Sequence, residues 1–128
     1  EPLRLGTRHL ISELQRRGHE VWIYTTSPRT TVWIRLWFRL HGVRIQGVVN
    51  SVRHATHLGA DSDSTKRPSA FGIALHFDNS PGVGLEGERY GFAVYVIEPE
   101  AANWVSMILA AVTQRESTLT MPTEDQLP

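Results

Sequence analysis

Five side chains in this sequence are of the types that handle a phosphoryl group. They are Thr25, Thr26, Lys66, Asp78 and Asn79. A hydroxyl donates to a phosphoryl oxygen, an ammonium neutralises the charge of that group and of a nearby carboxylate, and a carboxylate suits Mg²⁺. Phosphoryl transfer depends mainly on positioning and charge stabilisation, so this set of residue types predicts that chemistry.

Lys66 is the only lysine among thirteen basic residues, the others being arginines. Lysine offers a compact ammonium where arginine offers a planar fork, so the position calls for a property that arginine lacks. The two threonines follow the apolar run 21–24, and Asp78 and Asn79 follow the run 73–77. Ligands in α/β folds lie beyond the carboxyl ends of strands, which is where these four side chains fall if both runs are strands.

Composition limits the alternatives. Hydrophobic residues make up 41% of the 128 residues, and thirteen basic residues balance thirteen acidic ones. This balance argues against a nucleic-acid binder, which normally carries a basic excess. No apolar run reaches the roughly 18–20 residues that cross a bilayer, and no leader is visible, so we expect a cytoplasmic protein without membrane contact. The absence of cysteine excludes disulfides and thiolate catalysis.

Helical and short apolar segments alternate along the chain, which predicts an α/β fold with parallel strands. Helices are predicted over residues 5–17, 30–41 and 101–113, and strands over 21–25, within 43–52, over 73–78 and over 92–97. The polar stretch 53–64 is predicted to be a loop, and the glycine-rich stretch 80–89 a turn region with room for one helical turn. We expect an α/β domain over 1–115 and a flexible tail over 116–128.

The order of these motifs resembles the haloacid-dehalogenase (HAD) superfamily of phosphatases, over most of the chain from about residue 3 to residue 111. The run ending at Thr25 is similar to the family's second motif, an apolar strand that ends in Thr or Ser, with Thr26 as the second choice. Lys66, followed by Arg67 and Pro68, resembles the lysine of the third motif. The segment 75–80 resembles the fourth, an apolar strand that ends in one or two acids.

This resemblance implies a HAD-like, Rossmannoid three-layer α/β/α fold with a mainly parallel sheet. It also implies a Mg²⁺-dependent phosphohydrolase acting on a phosphorylated small molecule. Thr25 and Thr26 would bind the phosphoryl group, and Lys66 would stabilise its charge and that of the nucleophile. Asp78 and Asn79 would hold Mg²⁺, although Asn79 stands where many members have a second acid.

The nucleophile of the resembled family is missing. Family members attack with the first Asp of a strand-borne Asp-x-Asp motif, forming an aspartyl phosphate. Asp61-Ser62-Asp63 matches only the letters, because it follows a polar loop and lies after the second motif. The chain begins Glu1-Pro2, so we expect the natural start upstream, and we expect the chain as given to be inactive.

In the resembled fold the absent strand is the central one, flanked by the strands ending at Thr25 and Asp78. We expect both flanking strands to be buried, with apolar residues on both faces. Their facing edges need partners, which three arrangements supply: an N-terminal strand between them, direct pairing of 21–24 with 73–77, or a strand borrowed from another chain. The first is favoured because it preserves the resembled geometry.

The alternative function is a non-catalytic HAD-like domain that serves as a binding or assembly module. The predicted helix 30–41 is apolar on more than one face, with Arg35 and Arg39 as its polar stripe. Packing beneath a sheet explains such a helix. An interface through Trp33 or Trp37, including a homodimer, explains it too, because aromatic residues are enriched in interface cores.

Three other positions carry chemistry-capable side chains. His54 and His57 form an H-x-x-H pair, which we interpret as solvated because no Glu joins it in a zinc motif. His76 is predicted to be a packed or surface strand residue and not a catalyst. Arg29, near a helix start, is interpreted as a surface arginine, with contact to an anionic substrate as the alternative.

Overall fold

A computed structural model describes residues 3–59 and 64–120 of the chain. These residues form α1 (Thr7–Arg16), β1 (Trp22–Tyr24), α2 (Thr31–Leu40), β2 (Gly47–Val49), α3 (Ser51–Leu58), a 3₁₀ helix (Pro68–Phe71), β3 (His76–Asp78), α4 (Pro81–Tyr90), β4 (Val94–Val96) and α5 (Trp104–Thr120). The strands form two parallel pairs, β1 with β2 and β3 with β4. The protein is therefore a small α/β protein, as its alternating pattern predicts.

Helices α1, α2 and α5 pack against one face of the strands. Leu14 of α1 and Val112 of α5 belong to an apolar cluster that also contacts Val21, Leu75 and Phe77. A second apolar cluster joins the remaining helix, α2, to the same face, and its members include Ile11, Ile34, Val43, Ile45 and Val48. Burial of these aliphatic side chains supplies most of the core.

Helices α3 and α4 contact the opposite face, because successive strand residues point to opposite sides. The ring of Tyr24 in β1 meets those of His54 in α3 and His76 in β3, with centroids 5.8 Å and 6.0 Å away. His76 is in register with Val94 of β4, and Val94 lies against α4. This face therefore carries Tyr24 of β1 and His76 and Asp78 of β3.

Two glycines let α4 approach β4 closely. A Cβ atom placed on Gly87 would lie 2.6 Å from Val94 Cγ1 and 2.9 Å from the Phe92 carbonyl oxygen. A Cβ atom on Gly84 would lie 2.8 Å from Val96 Cγ2. Glycine lowers intrinsic helix stability by about 1 kcal/mol relative to alanine, so contact with β4 outweighs the local preference.

Two predicted loops are wrong, since α3 and α4 are regular helices. The Asn50 side chain caps α3 by accepting a hydrogen bond from the Arg53 amide at 2.8 Å. At the other end of the domain, α5 continues to Thr120, so the boundary predicted at residue 116 falls inside a helix. The Asp61-Ser62-Asp63 match lies outside the described residues.

The two central strands, β1 and β3, are not paired with each other within residues 3–59 and 64–120. Direct pairing, one of the three expected arrangements, is therefore absent from that part of the chain. The expectation that both strands are buried and apolar on both faces is also wrong. Both are only partly buried, and β3 carries His76 and Asp78 on one face. A gap separates the two strands, and their facing edges border it.

No helix in residues 3–59 and 64–120 is both long enough and apolar enough to span a membrane.

Candidate functional site

Strand β3 ends in a buried charged cluster centred on Asp78. The Lys66 ammonium donates to Asp78 Oδ2 at 2.6 Å, and His76 Nε2 lies 2.9 Å from the same oxygen. The Ser80 amide donates to Oδ1 at 3.0 Å. Only 14% of the Lys66 side chain and 6% of the Asp78 side chain are exposed, so this ion pair is shielded from solvent.

The cluster keeps the Asp78 carboxylate charged. Burial alone raises the pKa of Asp78, because it disfavours the anion. The hydrogen bonds from His76 and Lys66, the ammonium charge and the Ser80 amide together outweigh burial. The pKa of Asp78 therefore lies well below its usual range, and the site retains a fixed anion beside a fixed cation.

Glu86 of α4 holds the segment that carries Lys66. Its two carboxylate oxygens accept from the Thr65 amide at 2.9 Å and 3.0 Å, and Oε2 also accepts from the Lys66 amide at 3.2 Å. Partial burial raises the pKa of Glu86, but hydrogen bonds from the Thr65 side chain and from both amides lower it further, so the net shift is downward. The backbone at Lys66 is thereby fixed to α4.

A second anchor reaches the same segment from β1 and α3. The Tyr24 hydroxyl accepts from the Arg67 amide at 3.0 Å and is hydrogen-bonded to His54 Nδ1. His54 Nε2 lies 3.1 Å from the Ser64 carbonyl oxygen, so it is the nitrogen that carries the proton, and Nδ1 accepts from Tyr24. Burial raises the pKa of Tyr24 despite the Arg67 amide, so its hydroxyl remains a donor.

The predicted site residues are only partly brought together. Lys66 contacts Asp78, but the Thr25 hydroxyl accepts from the Ser27 amide at 3.1 Å. Among the described residues, no hydrogen bond joins Thr25 to the charged pair. Thr26 and Asn79 are exposed beside the strand ends. The charged pair is thus built into the fold, whereas the other three residues border it.

Sequence reasoning missed most of the residues that support the pair. His76 is buried, and its position two residues before Asp78 on one strand face is a signal of contact that the sequence contains. His54 was interpreted as solvated, and its bonds to Tyr24 and Ser64 show that interpretation to be wrong. No signal in the local sequence identifies Glu86, which accepts a hydrogen bond from the Lys66 amide twenty residues earlier in the chain.

The described residues supply only part of the set of oxygen ligands that Mg²⁺ needs. They contain no group of three or more His, Asp or Glu side chains that would hold a metal ion. Asp78 Oδ2 already accepts from Lys66 and His76, and Oδ1 accepts from Ser80. Because Mg²⁺ is held by one or two carboxylates together with water and phosphate, Asp78 and Asn79 would need further oxygen ligands.

Comparison with known proteins identifies no relative. No protein-family model matches the chain, and neither the curated proteins nor the solved structures contain a significant match. The proposed function therefore depends on the arrangement of the side chains. A shielded ammonium beside a fixed carboxylate at the carboxyl end of a strand can bind an anionic group and hold a cationic one.

Proposed function

We propose that this chain is the core of a HAD-like phosphohydrolase acting on a phosphorylated small molecule. The buried Lys66–Asp78 pair at the carboxyl end of β3 is the observation that carries the proposal. Helices on both faces of the strands, and two parallel strand pairs of which β1 and β3 line the same cavity, support a three-layer fold of this kind. The fold resemblance itself comes from the sequence motifs.

In this proposal each residue has a separate task. Lys66 neutralises the negative charge of the transferring phosphoryl group, and Asp78 keeps the ammonium oriented. The Thr25 hydroxyl and the exposed Thr26 bind phosphoryl oxygens at the end of β1. Asp78 and Asn79, with oxygen ligands from outside the described residues, would hold Mg²⁺, which would supply charge neutralisation when bound. The nucleophile is also supplied from outside them.

Substitution of Lys66 tests the activity in the full-length protein. Lys66→Met should lower turnover of p-nitrophenyl phosphate at least about 100-fold, which is the scale for loss of one charge-stabilising donor. Arg44→Met is the matched control, because Arg44 is an exposed cation remote from the cluster, and its turnover should not change. Folded protein is quantified by circular dichroism, so that unfolding is not mistaken for loss of chemistry.

Two results would contradict separate parts of this proposal, the role of Lys66 and the external source of the nucleophile. Full-length Lys66→Met that is folded and turns over normally would remove Lys66 from the site. Turnover by purified 1–128, with contaminating phosphatase excluded, would show that no external nucleophile is needed.

An assembly module is the second candidate function, and the outer face of α2 favours it. Val32, Trp33, Leu36 and Leu40 are all exposed along this helix. Trp37 is only partly exposed, and its ring centroid lies 4.1 Å from that of His41 and 5.0 Å from that of Phe38. Trp33 is therefore the interface candidate of the two tryptophans, and contiguous exposed apolar residues are typical of binding surfaces.

A further inference from the structure

Helix α2 has a second apolar side that the domain does not use. Ile34 is buried in the core, and Phe38 packs against the same cluster. On the outer side, Val32, Leu36 and Leu40 are each more than half exposed. Residues four positions apart lie above one another on a helix, so these three side chains form one continuous row. A helix of a globular domain needs one apolar side, so packing within the domain does not account for this row.

Arginines border the outer face of α2, and Trp33 lies beside the aliphatic row. The guanidinium carbon of Arg29 is 4.5 Å from the centroid of the exposed Trp33 ring. Arg35 and Arg39 are exposed and follow Val32 by three and seven residues, which places both along one edge of the row. Within residues 3–59 and 64–120, none of these three arginines forms an ion pair. Their positive charge is therefore open to an external partner.

The sequence around α2 carries charge of one sign only. Residues 21–60 contain five arginines and no Asp or Glu, although the chain as a whole is neutral. Such an uneven distribution of charge is typical of a surface that meets an anionic partner, and a basic amphipathic helix is typical of a membrane surface. The partner of this face should therefore be anionic and should also accept apolar side chains.

Macromolecules other than a membrane meet only part of this requirement. A nucleic-acid backbone would pair with the arginines but would leave the aliphatic row in water. A stable protein interface covers roughly 800 Å² on each partner, whereas the ten residues of α2 present a face of only about 15 by 10 Å. A second copy that used its own outer face of α2 would bring arginines against arginines, with no acid in residues 21–60 to pair with them.

A membrane surface that contains anionic lipids meets both parts of the requirement. Helices that lie in the plane of a membrane bury Leu and Trp side chains at the boundary between headgroups and acyl chains, and their arginines contact the anionic headgroups. The indole ring of Trp is favoured at that boundary. Binding of this kind needs no spanning segment, so it departs from the expectation of no membrane contact without requiring a transmembrane helix.

We propose that the outer face of α2 binds the surface of membranes that contain anionic lipids. Trp33, Leu36 and Leu40 enter the boundary between headgroups and acyl chains, and Arg29 and Arg39 contact the headgroups. Arg35 donates to the Gln46 carbonyl at 2.9 Å and so holds the helix to the domain. The inference rests on the binding-module candidate, whose partner it specifies, and it does not depend on the phosphohydrolase proposal.

Co-sedimentation of the 1–128 chain with lipid vesicles tests the proposal. One set of vesicles is phosphatidylcholine alone, and the other is two parts phosphatidylcholine to one part phosphatidylserine. The chain should partition onto the anionic vesicles at least about tenfold more strongly, because each arginine near an anionic surface adds to the attraction. Added salt should weaken the binding, since it screens exposed charges.

Two double variants separate the apolar contribution from the charged one. Leu36→Glu with Leu40→Glu, and Arg29→Gln with Arg39→Gln, should each weaken binding to the anionic vesicles at least about tenfold. The matched controls are Leu85→Glu and Arg89→Gln, which change exposed residues of α4 and should bind as the unchanged chain does. Circular dichroism shows which variants are folded, and the arginine variant serves the test if the glutamate variant is not.

No binding to either kind of vesicle would overturn the proposal, as would equal binding to both or equal losses in the α4 controls. Self-association of 1–128 that is abolished by Leu36→Glu with Leu40→Glu, without vesicle binding, would assign the face to a second copy. Capture of an acidic amphipathic peptide through the same residues, again without vesicle binding, would assign it to a protein partner. Either result would overturn the membrane proposal and leave the binding-module candidate standing.

Discussion

The two halves of the domain, β1–α2–β2 and β3–α4–β4, have the same β–α–β connection but are stabilised in different ways. In the β1–α2–β2 half, all of β2 is buried, with Val48 and Val49 only 1% and 0% exposed, and Ile34 packs into the same aliphatic core. In the β3–α4–β4 half, Asp78 and Lys66 form a buried ion pair. The helix of that half approaches its strand through glycines, where the other half uses interlocking side chains.

This difference indicates a division of tasks. Burial of aliphatic side chains is favourable with little dependence on detailed geometry, so it stabilises the β1–α2–β2 half without requiring the alignment of polar groups. A buried ion pair contributes little net stability and is costly to break, and the proposed function gives the pair in the second half a chemical role. Ionisable groups with shifted pKa values also concentrate at functional sites. The predictions below test the division, from the largest expected effect to the smallest.

Breaking the ion pair from the acidic side should have the largest effect. Asp78→Ala is expected to lower the free energy of unfolding by about 3 kcal/mol, because the Lys66 ammonium then lies buried without its acceptor. Lys66→Met should cost less, since Asp78 keeps its bonds from His76 and Ser80. Urea denaturation of both single variants and of the double variant measures the coupling. Losses that simply add would show that the two side chains act independently.

The glycine contacts of α4 should come next. Gly87→Ala is expected to cost about 2 kcal/mol, because the new methyl group meets Val94 and the Phe92 carbonyl. Gly82→Ala is the control in the same helix, since its nearest heavy atom would be the Ser80 hydroxyl at 3.5 Å. This control should be neutral or stabilising by up to about 1 kcal/mol, from helix propensity alone. Equal losses at both positions would refute the close approach.

Acid should lower the free energy of unfolding through protonation of Asp78. A carboxyl whose pKa is lower in the folded state stabilises the protein above its unfolded pKa, near 3.9, and that stabilisation is lost as the pH falls further. The free energy of unfolding should therefore fall between about pH 5 and pH 2, and Asp78→Asn should reduce the slope. The free energy of unfolding of the Asp78→Asn variant should still depend somewhat on pH, because the pKa of Glu13 is lowered to about 2, chiefly by the hydrogen bond from Arg16. An unchanged slope would contradict the role of Asp78.

The outer face of α2 should give the smallest change in stability. Leu40 is 77% exposed, so Leu40→Gln is expected to alter the free energy of unfolding by no more than about 0.5 kcal/mol. If this face is an assembly surface, Leu36→Glu should instead lower self-association in sedimentation velocity without unfolding the chain. Sedimentation as a monomer at all concentrations, before any substitution, would argue against a homodimer through α2.

Periodicity and composition determined much of this architecture without the structure. The helices α1, α2 and α5 and all four strands lie within or beside their predicted positions, because their apolar residues repeat at helical or strand spacing. The strand end at Asp78 was found in the same way. These features are local, so the sequence contains enough information to place them.

Tertiary structure alone decided the rest. Helix α4 contains three glycines, which predict a turn locally, and only the contact with β4 explains Gly84 and Gly87. The anchors of Lys66 are equally non-local: Glu86 lies twenty residues away, and Tyr24 holds the neighbouring Arg67 across forty-three residues. The gap between β1 and β3 depends on how the two strand pairs are arranged in space. Such contacts leave no periodic trace in the sequence, because they depend on which strands become neighbours and not on the order of residues along one of them.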